Sequence, residues 1–190
     1  KTAGHFWRFA GLDPTQVWEK KTKRPWNADL KTLCAFKLGE SFVKVQNNES
    51  DFYGKIYRKR KDLEIANNEK RLYADQAKAM LEKKNFGKET EARKFYEDGR
   101  LPPAHLHARA RRYAVKLFLS HLHHVMHSDY YGYDPPKPYA FEKLPDQDHR
   151  HYIPVPDWPW DGGRSLRDLL VDEPEDSKEP EAPSETTSKE

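Results

Sequence analysis

The sequence predicts a mainly α-helical fold, a helical domain around one long helix in its C-terminal part, with a helical arm and an irregular Pro/aromatic-rich extension. Three observations predict it. Residues 102–127, PPAHLHARARRYAVKLFLSHLHHVMH, run on from two opening prolines, and no glycine interrupts the chain before Gly132. Proline suits the first turn of a helix, where its missing N–H has no intrahelical partner to lose. Shorter stretches upstream carry apolar residues at helical spacing, and after Tyr130 prolines and aromatics follow without period.

In the long helix, Leu106, Ala110, Tyr113 and Leu117 recur with Ala114, Phe118, Leu122 and Val125 beside them. A second stripe, His105, Arg109, Arg112, Lys116, His123 and His127, is basic or can become so. One face is expected to bury and the other to present positive charge along a rod of roughly 35 Å.

The upstream elements follow in order. Residues 4–10 read as the last turns of a helix, stopped by Gly11 and by Pro14 beyond it. The segment QVWEKKTKRPW is a basic connector, either a short strand pair or an irregular loop. Asn27 is an expected N-cap for a helix to about Val45, with Leu30, Leu33/Cys34, Leu38, Ser41/Phe42 and Val45 as its apolar stripe. Ser50 is the expected cap of a third helix bearing Phe52/Tyr53, Ile56, Arg60 and Leu63 on one side. Residues 67–84 have a thin stripe, the pattern of a weakly packed arm, and Gly87 and Gly99 bracket a short helix. Residues 133–160 are expected to lie extended across the body, and the chain from Asp172 is Glu/Pro/Ser/Thr-rich and expected to be disordered. The expected divisions are 1–128 (helical body), 129–164 (extended segment) and 165–190 (acidic tail).

Charge is unevenly placed. The whole chain is +3, yet residues 1–128 hold 27 Lys/Arg against 15 Asp/Glu, a net of +12, and residues 165–190 hold 3 against 9, a net of −6. A basic body points to a polyanionic partner, nucleic acid first; a solvated helical surface is the plainer account. The single cysteine, Cys34, excludes an internal disulfide and sits in an apolar pattern. With no apolar run long enough to span a membrane, it favours a cytoplasmic setting and no membrane partner. The chain opens in mid-element, as a piece of a longer protein would.

Chemistry-bearing patterns are few. His121, His123, His124 and His127 have metal-compatible helical spacings, but no carboxylate lies within the cluster and no second cysteine joins it. Polar residues facing the negative end of a helix dipole are the better account, and no metal is assigned. There is no Gly-rich phosphate loop. Basic residues interleaved with aromatics recur on three elements: Lys20, Lys21, Lys23 and Arg24 between Trp18 and Trp26; Arg58, Lys59 and Arg60; and Arg109, Arg112 and Lys116. These ten are the expected phosphate contacts, with the tryptophans available to stack on bases or sugars.

Taken together, the segments resemble the C-terminal domain of insertion-sequence one-ten family transposases, also called DEDD or bridge-RNA-guided recombinases. TAGHFWRFAGLDP at 2–14, Asn27–Leu33, Ser50–Arg58 and Ala110–Leu122 follow the order of that family's degenerate motifs. The resemblance implies a mobile-element, phage-like protein that binds DNA, with a guide or structured RNA as a further partner, in DNA transposition or recombination. It also implies a divalent metal held by an acidic domain that is not in this chain, so no cofactor is expected here. The family's serine nucleophile has no match: the loop after Pro14 has only Thr15 and Thr22, and no catalytic residue is assigned. The alternative is a catalytically silent helical module that binds RNA, another protein or a second copy of itself.

Overall fold

The structure, a computed structural model, describes residues 2–87, 89–136 and 152–156. The chain divides into two compact units, 1–155 and 156–190. Apart from Pro156 the second unit lies outside the described residues, and with it the acidic tail; so does 137–151 of the expected extended segment. The described residues are mainly helical and contain no strand.

Among the described residues seven α-helices follow one another: α1 (Ala3–Phe9), α2 (Ala28–Thr32), α3 (Gly39–Lys44), α4 (Phe52–Glu69), α5 (Ala74–Lys83), α6 (Glu91–Glu97) and α7 (Pro103–Tyr131). Helix α1 stops where Gly11 turns left-handed at φ +64°; a Cβ there would also sit 2.8 Å from the Trp26 ring. Asn27 caps α2 as expected, its side chain accepting from Leu30 N–H at 2.8 Å. The next cap differs: Asp51, not Ser50, accepts from Gly54 N–H at the start of α4.

Between α2 and α3 the expected single helix contains a π-helical turn, Leu33–Leu38. A π turn spends an extra residue per turn, which shifts the register of the stripe. Cys34 is therefore buried, while Leu33 and Phe36 lie more than half exposed. At the following residue α7 passes so close that a Cβ on Gly39 would meet the Arg111 side chain at 2.7 Å.

Helix α7 is the axis. Its small residues Ala110 and Ala114, with Val115 and Leu119, are buried against Ala10, Leu12, Cys34, Phe42 and Tyr57. Small side chains let the neighbouring helices approach closely, and the aromatics fill what remains. The inner side of α4 also differs from expectation. Phe52, Tyr57, Glu64 and Asn68 are buried, while Leu63 is half exposed. The polar pair is buried because it is partnered. Asn68 donates to Leu101 O at 3.0 Å and accepts from Leu101 N–H at 2.7 Å, like a strand neighbour. The thin stripe of the arm suffices because it has its own small core, Ala77, Tyr96, Leu101 and Leu106.

Three tyrosine–histidine pairs lock α7 in place. The Tyr57 hydroxyl is hydrogen-bonded to His107 Nδ1 at 2.7 Å, Tyr96 to His105 Nδ1 at 3.3 Å, and Tyr53 donates to His121 Nδ1 at 2.9 Å. His121 Nε2 then donates to Ile153 O at 2.9 Å, tying the described piece of the extended segment to the helix. His121 is thus a buried core residue, ten positions before the helix ends, not a residue at the dipole's negative end.

Burial pushes His121 down to about 4, and burial with neighbouring cations lowers His105 and His107. Each folded value lies below the unfolded one, so the unfolded chain takes up protons first as pH falls. Stability is expected to be full above about pH 6.5 and to fall between pH 6.5 and about 4, on the order of 3 kcal/mol from His121 alone. Urea unfolding at pH 7.5, 6.0 and 4.8 measures this, above the range where most carboxylates titrate. The double variant Tyr53→Phe/His121→Leu, which removes the titrating ring and its hydroxyl partner together, should flatten the loss.

Candidate nucleic-acid interface

The connector between α1 and α2 is an irregular loop pinned at several points. Gln16 Nε2 donates to Pro25 O at 3.2 Å and joins its two limbs at the base. Trp18 Nε1 donates to Thr22 O at 3.0 Å, and Thr22 donates to Glu19 O through both its amide N–H and its hydroxyl, so Glu19–Thr22 is a closed turn. At the base, Asp13 accepts from the amide N–H and the hydroxyl of Thr15, bonds that hold its carboxyl below the usual aspartate range. Lys20, Lys21, Lys23 and Arg24 are all exposed on this scaffold, and among the described residues none of them is in an ion pair.

The two tryptophans are engaged within the chain. They meet edge to face with centroids 6.1 Å apart. The Arg24 guanidinium lies 5.7 Å from the Trp18 centroid and Lys31 Nζ lies 3.9 Å from that of Trp26. Burial, then Arg24, lowers the pKa of Lys31. The stacking surface expected of these rings is thus partly taken up by the protein's own cations.

On α7 the expected basic stripe divides. Arg112 is exposed. Lys116 lies 4.9 Å over the Trp7 ring, whose indole N–H donates to Lys116 O at 3.0 Å, and burial lowers the ammonium's pKa. Arg109 turns inward. Its Nε donates to Glu64 Oε2 at 2.7 Å, a second nitrogen donates to Gln76 Oε1 at 2.9 Å, and the guanidinium lies 4.4 Å from the Tyr73 centroid. Arg60 of α4 approaches the same carboxylate, at 2.9 and 2.7 Å from Oε1, over the Tyr113 ring at 4.6 Å.

Glu64 is the carboxylate on which the inward-facing arginines converge. Burial by itself would raise its carboxyl, but hydrogen bonds from Tyr73, Arg109 and Arg60 together hold it below the ordinary glutamate value. The i,i+4 spacing of Arg60 and Glu64 is visible in the sequence; the arrival of Arg109 is not. On the other side of α4, Arg58 pairs with Glu49 at 3.0 Å, which also takes Lys55 at 3.3 Å, and Lys59 is exposed.

The structure therefore brings Arg60 and Arg109 together on Glu64, with Arg112 exposed on α7 and Lys116 one turn further along it. It leaves Arg58 and Lys59 on another side of α4 and gathers Lys20, Lys21, Lys23 and Arg24 on the loop. Of the hydroxyls, Thr15 and Thr22 are committed to local turn bonds, and among the described residues no histidine or carboxylate is hydrogen-bonded to Thr22. His124 faces Asp134 at 3.5 Å, and His127 lies against Tyr131 and Tyr133. Among the described residues no helix is long and apolar enough to cross a membrane. No family model, curated protein or solved structure matches the chain.

Glu64→Ala is expected to lower stability by roughly 3 kcal/mol, because two inward-held guanidiniums lose their counter-charge. Lys23→Ala is expected to stay within about 0.5 kcal/mol of wild type. Urea unfolding of the two variants checks the division between structural and free cations; equal midpoints would abolish it.

Proposed function

We propose that the chain is a nucleic-acid-binding helical domain, with DNA as the partner and DNA transposition or recombination by a mobile element as its setting. The observation that carries the binding is the loop at 16–25. Four exposed cations stand within five residues on a pinned scaffold, and no carboxylate among the described residues pairs with them. Holding like charges this close costs free energy that a polyanion would recover. Arg112 and Lys59 are further exposed cations for the same partner. Arg60 and Arg109 move from phosphate contacts to supports of the helix that carries Arg112. The recombinase setting rests on the ordered segments at 2–14, 27–33, 50–58 and 110–122, and no residue is assigned to strand cleavage.

A second reading, a helical interaction module, is favoured by Leu33 and Phe36, exposed one turn apart on the π turn. Sedimentation velocity separates the two: self-association without DNA supports the module.

Fluorescence anisotropy with a 20-bp DNA duplex between 50 and 200 mM salt tests the first. Four engaged loop cations give a log–log slope of about −4, from about −0.9 for each phosphate neutralised. A slope near zero, or no binding at 50 mM, overturns the reading.

A further inference from the structure

Among the described residues two non-glycine residues hold left-handed backbone, Lys21 at φ +75° and Arg71 at φ +55°. Such conformations are unfavourable for residues with a Cβ, and they point to function when nothing local explains them. Arg71 is explained, since its guanidinium reaches Asp98 at 2.8 Å and ties the α4–α5 turn to the end of α6. Lys21 is not. Its side chain is exposed and, among the described residues, makes no ion pair or hydrogen bond. Glycine or asparagine would adopt this turn at lower cost. A lysine here contributes to the fold only strain, and what it adds is a charge at the tip of a pinned loop.

The loop's other features say what that charge meets. Single strands are bound largely through aromatic side chains on which bases stack. Here Lys31 lies over Trp26, Arg24 lies against Trp18, and the two rings are edge to face, so the rings brace the loop more than they offer faces to bases. Cations on a preformed scaffold suit a partner whose phosphates are also held in fixed array. The loop has two limbs, bridged by Gln16 and by the Trp18–Trp26 ring contact. The major groove of B-form DNA, about 12 Å across, admits a two-stranded element, whereas the major groove of A-form RNA is too narrow for side chains to read.

We propose that the 16–25 loop is a preformed finger that lies in the major groove of duplex DNA, with Lys21 at its tip against a phosphate on the groove edge and the tryptophans as its struts. This rests on the nucleic-acid-binding reading above and names the form of the partner.

The test uses the full chain and the variants Lys21→Gly, Lys21→Asn and Lys23→Ala. Anisotropy is read with a 20-bp DNA duplex, an RNA duplex of the same sequence and a 20-nucleotide oligo-dT, over a salt series. Wild type is expected to bind the DNA duplex at least tenfold more tightly than the other two. Lys21→Gly and Lys21→Asn are each expected to lose roughly five- to tenfold at 100 mM salt and to have slopes shallower by about 0.9. Their unfolding midpoints should not fall below that of wild type, since both residues fit the turn. Both variants binding as wild type while Lys23→Ala is weakened would overturn the role of Lys21. Tighter binding of oligo-dT with quenching of tryptophan fluorescence, or tighter binding of the RNA duplex, would overturn the groove assignment and leave nucleic-acid binding standing. Failure of wild type to bind any of the three at 50 mM salt would remove both readings.

Discussion

Two strongly basic helices can pack side by side only if something neutralises the charge between them, and in this protein that is the carboxylate of Glu64. It is 1% exposed and takes Arg60 from its own helix and Arg109 from α7. Arg109 also reaches Gln76, so α5 joins the same junction, and each guanidinium rests on a tyrosine ring. Burying a carboxylate is expensive, and the cost is offset here because both oxygens are occupied by charge-assisted bonds. The arrangement also fixes geometry. With Arg109 drawn inward, Arg112 is left on the solvent side of α7, and the Tyr113 ring is turned under Arg60. The identity of the outward-facing cation on this part of α7 thus follows from where one acidic residue stands on α4.

The sequence carried the helices, most of their boundaries and the role of α7, because those depend on local signals. Asn27 as a cap, Gly11 as a stop and Pro103 in the first turn act on their own neighbours in the chain. The errors share a physical origin. A 3.6-residue period leaves the inner position shared between Leu33 and Cys34, and the π turn at Leu33–Leu38 sets the register so that Cys34 is inside and Leu33 outside. The apolar pattern of α4 puts Leu63 on the inner side, yet Glu64 and Asn68 are the buried residues because they have fixed partners 45 and 33 residues away, in Arg109 and Leu101. Polarity predicts exposure only while the partner is unknown. The histidines of α7 follow the same rule: three of them are hydrogen-bonded to tyrosines on α4 and α6, pairings that no spacing within α7 encodes.

Of the ten cations in the expected interface, the sequence supplied the identities and only the fold could sort them. Arg58, Arg60 and Arg109 each have a carboxylate within 3.0 Å, and Lys116 is partly desolvated over Trp7. Lys20, Lys21, Lys23, Arg24, Lys59 and Arg112 remain exposed. The loop residues were legible as a group because they are contiguous, whereas the α4 and α7 residues depended on the Glu64 junction. The connector's conformation, undecided between a strand pair and an irregular loop, is set by side-chain bonds from Gln16 and Trp18 to carbonyls nine and four residues on. Neither residue type signals such a bond.

Aromatic residues make a chain with 36% hydrophobic and 34% charged residues workable in a way that bears on the interface. Rings that are not fully buried carry cations of the protein itself: Lys31 on Trp26, Arg60 on Tyr113, Arg109 on Tyr73, Lys116 on Trp7. The aliphatic stem of a lysine or arginine covers apolar ring surface while its head keeps its solvation or a partner. Each such pair therefore adds buried area without adding an apolar residue, and at the same time reduces the freedom of a cation to reach an outside partner. The basic–aromatic interleaving that looked in sequence like a series of binding patches is, on α4 and α7, largely a packing device. On the connector the pairing involves Arg24 and Lys31, and the turn at Glu19–Thr22 carries Lys20 and Lys21 beyond the reach of either ring contact. Charge left over by packing is thus concentrated on a loop whose backbone is pinned by side-chain bonds, and a charge on a pinned loop loses less entropy on meeting a fixed partner than one on a flexible tail.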